Sequence, residues 1–226
     1  MANLTQLRML ENLDGFLLVD KPAGLPFSTV VKTVKRKFNL VKVGHGGSLD
    51  AMASGLLVIL VNGANRFVDN VMGADRDYTG TMKFGATTDT GDRYGRPVPQ
   101  PGRVMAPSEA RGDVFQVEPR FCSVRKEGTA DYEIADTGEH KQFLAHVYRF
   151  DVGAASEDGA TPFSLSASKG VIVRALAQDL GATLMSLRRT RVGKFDVADA
   201  MPFDKLLETE IGDFASCVKP VSAFLR

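Results

Sequence analysis

The most apolar stretch of the chain is Gly55-Leu56-Leu57-Val58-Ile59-Leu60-Val61. It is far shorter than the roughly 20 residues that a membrane-spanning helix needs. A chain of 226 residues, 44% of them hydrophobic, can cover such a run in its own core, as one large domain or two small ones. Net charge is +1 and 24% of residues are charged, the balance of an ordinary soluble globular protein and not of a disordered one. The start, Met1-Ala2-Asn3-Leu4-Thr5-Gln6, lacks the basic segment and long apolar run of a signal peptide. Cys122 and Cys217 are too few for a disulfide framework or a cysteine zinc site. His45, His140 and His146 are too few for a His-rich metal centre. The expectation is a cytoplasmic protein without a metal.

Patterning predicts a mixed α+β chain rich in strands, with no regular βαβ alternation. Gly15–Asp20 reads as a short buried strand, ended by Pro22 and Gly24-Leu25-Pro26. Ser28 is placed to cap a helix through Phe38, with Val30, Val31, Val34 and Phe38 as its apolar stripe. A glycine-rich loop, Val43-Gly44-His45-Gly46-Gly47-Ser48-Leu49-Asp50, precedes the apolar run. Asp77–Phe84, Phe143–Val152 and Phe163–Ser168 read as strands. Val173, Leu176, Ala177, Leu180 and Leu184 have helical spacing, with Arg174 beside the stripe. Ser186–Phe195 reads as entering a further strand.

Two basic clusters interrupt the neutral average. Lys32, Lys35, Arg36, Lys37 and Lys42 form one, and Arg188, Arg189, Arg191 and Lys194 the other, each without an acid between. Both admit two readings, a solvated surface or a face that attracts phosphates. Asp50 likewise admits two: the cap of a helix starting in the small residues after it, or a carboxylate at a loop tip where a ligand approaches. The glycine loop is neither a Walker A element nor a dinucleotide fingerprint. Taken singly, Tyr78, Arg174 and His45 read as a half-buried strand tyrosine, a helix-surface arginine and a loop histidine.

The order of segments is more specific than any one of them. Gly-Phe-Leu-Leu-Val-Asp-Lys-Pro-Ala-Gly from Gly15 is followed by Gly-His-Gly-Gly-Ser-Leu-Asp from Gly44, then by Asp77-Tyr78 and Thr88-Asp89-Thr90-Gly91-Asp92. Ser168-Lys169-Gly170 with Arg174, and Leu187-Arg188-Arg189-Thr190-Arg191-Val192-Gly193-Lys194-Phe195, close the series. From about Gly15 to the low 200s this series resembles the TruB family of RNA pseudouridine synthases. The resemblance implies a central, mostly antiparallel mixed sheet flanked by helices and loops, with an active-site cleft across it. It implies one catalytic domain spanning residues 1–226, and a chain ending at Arg226 leaves no room for the C-terminal PUA domain that many relatives carry.

By the same resemblance, the chain isomerises a uridine in the T loop of transfer RNA to pseudouridine, without metal or organic cofactor and as a monomer. Asp50 matches the nucleophile, Arg174 its guanidinium partner, and Tyr78 the tyrosine that stacks on the base and is a candidate for C5 proton transfer. His45 matches the histidine that holds the RNA loop, and Lys21 the lysine of the Asp-Lys-Pro motif, read as structural or as an RNA backbone contact. Lys32, Lys35, Arg36, Arg188, Arg189 and Arg191 become phosphate contacts. Two alternatives stand beside this reading: the same chemistry on ribosomal or messenger RNA, and a non-catalytic transfer-RNA folding factor. The chain departs from the family pattern at Ala51 (usually proline), Gly46 (commonly threonine) and Ile172 (often tyrosine). It departs again in Gln116–Arg125, an eroded Gln-x-Pro-Pro stretch, and in short connections from Arg96 to Gln116 and from Gly181 to Leu187.

Overall fold

The computed structural model describes residues 10–99, 104–117, 121–125, 132–136 and 142–225. In chain order, β1 (Gly15–Lys21) leads to α1 (Phe27–Lys37), then β2 (Val43–His45) and β3 (Ser54–Val61). After α2 (Val68–Met72) come β4 (Arg76–Phe84), β5 (Thr87–Thr88) and β6 (Pro97–Val98). β7 (Gly112–Val117), β8 (Phe121–Arg125), β9 (Tyr132–Asp136), β10 (Gln142–Val152) and β11 (Thr161–Ala167) precede α3 (Val173–Asp179). β12 (Ala182–Val192), β13 (Phe195–Asp196), β14 (Met201–Pro202), α4 (Phe203–Glu208), α5 (Phe214–Cys217), β15 (Val218–Pro220) and α6 (Ser222–Leu225) complete the chain. These elements group into two compact units, Met1–Ala74 with Arg189–Arg226, and Asp75–Arg188.

In the first unit β1 runs antiparallel to β3, with Phe16 opposite Leu60, Leu18 opposite Val58 and Lys21 opposite Gly55. β15 pairs antiparallel and β14 parallel with β1, and β2 pairs antiparallel with β3. Every residue of β3 after Ser54 is buried, so the apolar run is a strand covered on both faces. One face, with Leu56, Val58 and Leu60, joins Phe16, Leu18, Ala64, Val71, Val192 and Phe195 in a single core. Full burial of each such side chain stabilises by about 1.5–3 kcal/mol. Helix α1 buries Phe27, Val30 and Val34, and Phe38 just beyond it stacks on Phe214 with ring centroids 3.9 Å apart. Ser28 lies inside α1 and does not cap it. Pro26, with φ −60°, holds the cap position without a side-chain bond, because its ring presets the entry angle.

The second unit pairs its strands antiparallel in the order β4, β11, β10, β7, with Tyr78 opposite Leu165 and Leu144 opposite Phe115. β8 and β9 form a separate antiparallel pair. The helix expected to reach Leu184 stops at Asp179. Gly181 adopts φ +62°, a left-handed conformation that ends helices, and Leu184 belongs to β12. Glu118-Pro119-Arg120 of the eroded Gln-x-Pro-Pro stretch lie outside the described residues. The architecture is the α+β, mostly antiparallel one expected. No helix among the described residues is long and apolar enough to cross a membrane.

Candidate functional site

The glycine loop joins β2 to β3 and carries Asp50 at its far end. Its first turn is closed by Gly46 N–H donating to the Val58 carbonyl at 2.8 Å. A Cβ at Gly46 would sit 2.2 Å from Val71 Cγ1, so the close approach of Val71 leaves no room for a side chain at position 46. His45 is half-buried; its Nδ1 accepts from Gly47 N–H at 3.3 Å and its ring packs on Phe27 with centroids 4.9 Å apart. Asp50 itself is half-buried. A turn follows it, with Ala53 N–H donating to the Asp50 carbonyl at 3.1 Å, and β3 starts at Ser54. No helix begins there, so Asp50 does not cap one.

Two buried cations pin this loop on either side of Asp50. Lys21, fully buried at the end of β1, donates from Nζ to the carbonyls of Pro22 (2.8 Å), Leu25 (2.7 Å) and Ala51 (3.4 Å). Gly24 N–H donates to the same Ala51 carbonyl at 2.7 Å. The peptide after Asp50 is thus fastened by main-chain contacts, which offsets the loss of the family's proline at position 51. Arg189, 1% exposed, donates from Nε to the Leu56 carbonyl (2.8 Å), from Nη1 to Ser48 (2.8 Å) and from Nη2 to Gly47 (3.3 Å). The fit is close: Gly55 takes φ +102°, and a Cβ there would lie 2.3 Å from the Arg189 carbonyl oxygen. Each guanidinium or ammonium donor thus meets a main-chain carbonyl, which satisfies the buried cation without a carboxylate.

These positions correct two expectations. Lys21 and Arg189 are interior scaffold and offer no surface to a phosphate. Alternation along β12 explains the second case, since neighbouring strand residues point to opposite faces and a run of basic residues cannot share one. Arg189 follows Leu187 on the buried side and Arg188 is half-buried on the other. Arg191, near the end of the strand, is half-buried although it shares the parity of Arg189, and its Nη1 donates to the Gly193 carbonyl at 2.8 Å. The period of two that separates Arg188 from Arg189 was readable in the sequence. Lys32, Lys35 and Arg36 are exposed on α1, as expected.

Burial lowers the Lys21 pKa from 10.5 to about 8; the neighbouring Asp50 carboxylate opposes that shift and the Arg189 charge adds to it. Because the folded value lies below the unfolded one, the unfolded chain binds more protons between pH 8 and 10.5. This group's contribution to stability therefore rises with pH across that window. Urea unfolding should show wild type gaining roughly 2–3 kcal/mol relative to Lys21→Met between pH 7.5 and 10.5. A flat difference would mean that Lys21 keeps an ordinary pKa.

In the second unit Tyr78 lies on β4 and is 6% exposed. Arg174, in the first turn of α3, is buried at 6% exposure and is not the helix-surface arginine its spacing suggested. Its Nη1 donates to the Thr90 carbonyl at 2.7 Å. Gln116, fully buried, holds the start of α3 by a two-way clamp on Ile172: Nε2 donates to the Ile172 carbonyl (3.1 Å) and Oε1 accepts from Ile172 N–H (2.9 Å). The eroded motif therefore keeps a positioning glutamine, which sequence reading had not singled out. Among the described residues no cluster of His, Cys, Asp and Glu fits a metal ion.

Residues 35–173 match the family model described as TruB family pseudouridylate synthase (N terminal domain). The chain is 35% identical over 215 residues to a protein of Gluconacetobacter diazotrophicus named tRNA pseudouridine synthase B, covering 88% of this chain and 70% of that one. It is also 35% identical over 231 residues to the protein of that name from Aquifex aeolicus, covering 95% and 80%. Among solved structures, a Cbf5-Nop10-Gar1 complex superposes with TM-score 0.65 at 24% identity over 95% of this chain. An H/ACA RNP bound to a substrate RNA containing 2'-deoxyuridine superposes with TM-score 0.63 at 22% identity. This chain spans 62% and 61% of those two structures' chains, and they share its fold. The ordered motifs around Asp50, the family model over more than half the chain and relatives at 35% identity place the chain in the TruB family of pseudouridylate synthases.

Proposed function

We propose that this chain isomerises a uridine in the T loop of transfer RNA to pseudouridine, with Asp50 as nucleophile. The observation that carries the reading is the Asp50 loop. Two buried cations fix its main chain on both sides while Asp50 itself stays half-buried, an arrangement that suits a preorganised nucleophile. The named relatives, tRNA pseudouridine synthases B, support transfer RNA as the substrate class.

The target uridine leaves its stack at a cost of a few kcal/mol, offset by contacts to the extruded base and its phosphates. Asp50 adds to the nucleoside and the bond from C1′ to N1 breaks. The base turns, C1′ joins C5, Asp50 departs, the C5 hydrogen leaves as a proton, and N1 takes up a proton in its place. Tyr78 stacks on the base and is placed in the reading as the group that helps that proton leave. Arg174 serves as the carboxylate's partner, its guanidinium already oriented by the Thr90 carbonyl. His45 holds the RNA loop, and Lys32, Lys35, Arg36, Arg188 and Arg191 contact phosphates. The reading treats both compact units as parts of one catalytic domain, acting as a cytoplasmic monomer without metal or organic cofactor.

Tritium release tests it directly. Transfer RNA transcribed with 5-tritiated uridine should release about one tritium per molecule to water. Release from no transfer RNA, with release from ribosomal or messenger RNA, would move the substrate. Binding without release from any RNA would favour a folding factor.

A further inference from the structure

The loop from Thr88 to Arg96 buries Asp92 and turns its cations outward. Asp92 is buried, and its Oδ1 accepts from Thr90 Oγ1 (2.8 Å) and Tyr94 N–H (2.9 Å). The Asp92 carbonyl accepts from Thr88 Oγ1 (2.7 Å) and Gly95 N–H (3.1 Å). Asp89 Oδ1 accepts from Arg96 N–H at 2.8 Å. The loop is tied to β12, with Arg93 N–H donating to Leu184 and Leu184 N–H to Gly91, both at 3.0 Å. It is tied to α3 as well, where Arg174 Nη1 donates to the Thr90 carbonyl and Gln178 Nε2 to the Thr88 carbonyl, both at 2.7 Å.

On the outer side Arg93, Tyr94 and Arg96 are exposed. Tyr94 is 65% exposed. The Arg93 guanidinium carbon lies 4.9 Å from its ring centroid, and Arg93 Nη2 donates to the Tyr94 hydroxyl at 2.8 Å. Folding gains little from a ring left this far in water. A tyrosine ring with two rotatable bonds on a hydrogen-bonded loop does, however, lose little entropy when a ligand stacks on it, and a planar cation beside it matches a phosphate. Unpaired RNA bases are bound by stacking on aromatic rings and guanidinium planes, with cations along the backbone.

We infer that Arg93 and Tyr94 form a nucleotide-binding contact for the substrate RNA, an unpaired base stacking on Tyr94 and a neighbouring phosphate pairing with Arg93. The inference rests on the reading of the substrate as RNA, and it deepens that reading. The same loop orients Arg174, so a nucleotide held at Tyr94 and the guanidinium assigned to the reaction share one frame.

The test measures the Kd of unmodified transfer-RNA transcript, KM and kcat for tritium release, and thermal midpoints for wild type, Tyr94→Ala, Tyr94→Phe and Arg93→Ala. Tyr94→Ala should raise Kd and KM about tenfold, within the range for one stacked base, with kcat little changed. Tyr94→Phe, which keeps the ring, should stay within about twofold of wild type. Arg93→Ala should weaken binding and reduce the salt slope by about one. Ultraviolet irradiation of the complex should crosslink the peptide carrying Tyr94 to RNA.

If wild type binds and modifies RNA but Tyr94→Ala matches it in Kd and KM, this contact is overturned and the proposed function stands. A loss shared by Tyr94→Ala and Tyr94→Phe, with a fall in thermal midpoint, would assign the ring a role in loop structure instead and also overturn it. Wild type that neither binds nor modifies any RNA overturns both.

Discussion

Asp50→Asn should reduce the single-turnover rate of pseudouridine formation at least about 10⁴-fold while leaving the Kd for transfer RNA within about twofold. The amide has nearly the shape of the carboxylate but is a far weaker nucleophile, so the covalent step is lost and the loop is not. The structure explains why the loop survives. Its fastenings use main-chain atoms, the carbonyls of Gly47, Ser48 and Ala51, which accept from Arg189 and Lys21 and not from Asp50. Rapid-quench assays and filter binding on the same protein batch check both halves. A variant retaining a tenth of the rate would remove Asp50 from its assigned role.

Arg189→Met should destabilise the fold by about 3 kcal/mol and depress kcat more than RNA affinity. Methionine fills much of the same volume but donates nothing, so the carbonyls of Leu56, Ser48 and Gly47 lose buried donors. Each unsatisfied buried acceptor costs about 1–3 kcal/mol, and local relaxation recovers part of the sum. Arg189→Lys should recover less than half, because one ammonium cannot reproduce a planar fork that reaches three carbonyls. Urea unfolding at pH 7 measures the stability change. A loss under about 1 kcal/mol would mean that the loop's carbonyls find other partners and that Arg189 does not hold Asp50 in place.

The strands β1, β4, β10 and β11 were legible because apolar runs and alternation are local, and so was the loop carrying Asp50; the apolar run of β3 was seen as core without its strand. What stayed hidden depended on tertiary partners. Helical spacing from Val173 to Leu184 cannot register that Gly181 turns left-handed and hands Leu184 to a strand. The stripe of α3 placed Arg174 at a surface, yet its guanidinium meets the Thr90 carbonyl, 84 residues away in sequence. Charge counting put Arg189 toward RNA, and the Asp-Lys-Pro resemblance left Lys21 either structural or an RNA backbone contact. Only their tertiary surroundings show that both turn inward, where main-chain carbonyls accept their hydrogen bonds. Gln116 was invisible as a positioning residue for the same reason, since its partner Ile172 lies 56 residues on.

The most direct measurement is to incubate the protein with unmodified transfer-RNA transcript and map pseudouridine by carbodiimide labelling and primer extension, with Asp50→Asn alongside. The account predicts a single stop within the T loop for wild type and none for the variant. A stop elsewhere in the transcript, no stop despite measured binding, or an equal stop with Asp50→Asn would contradict it.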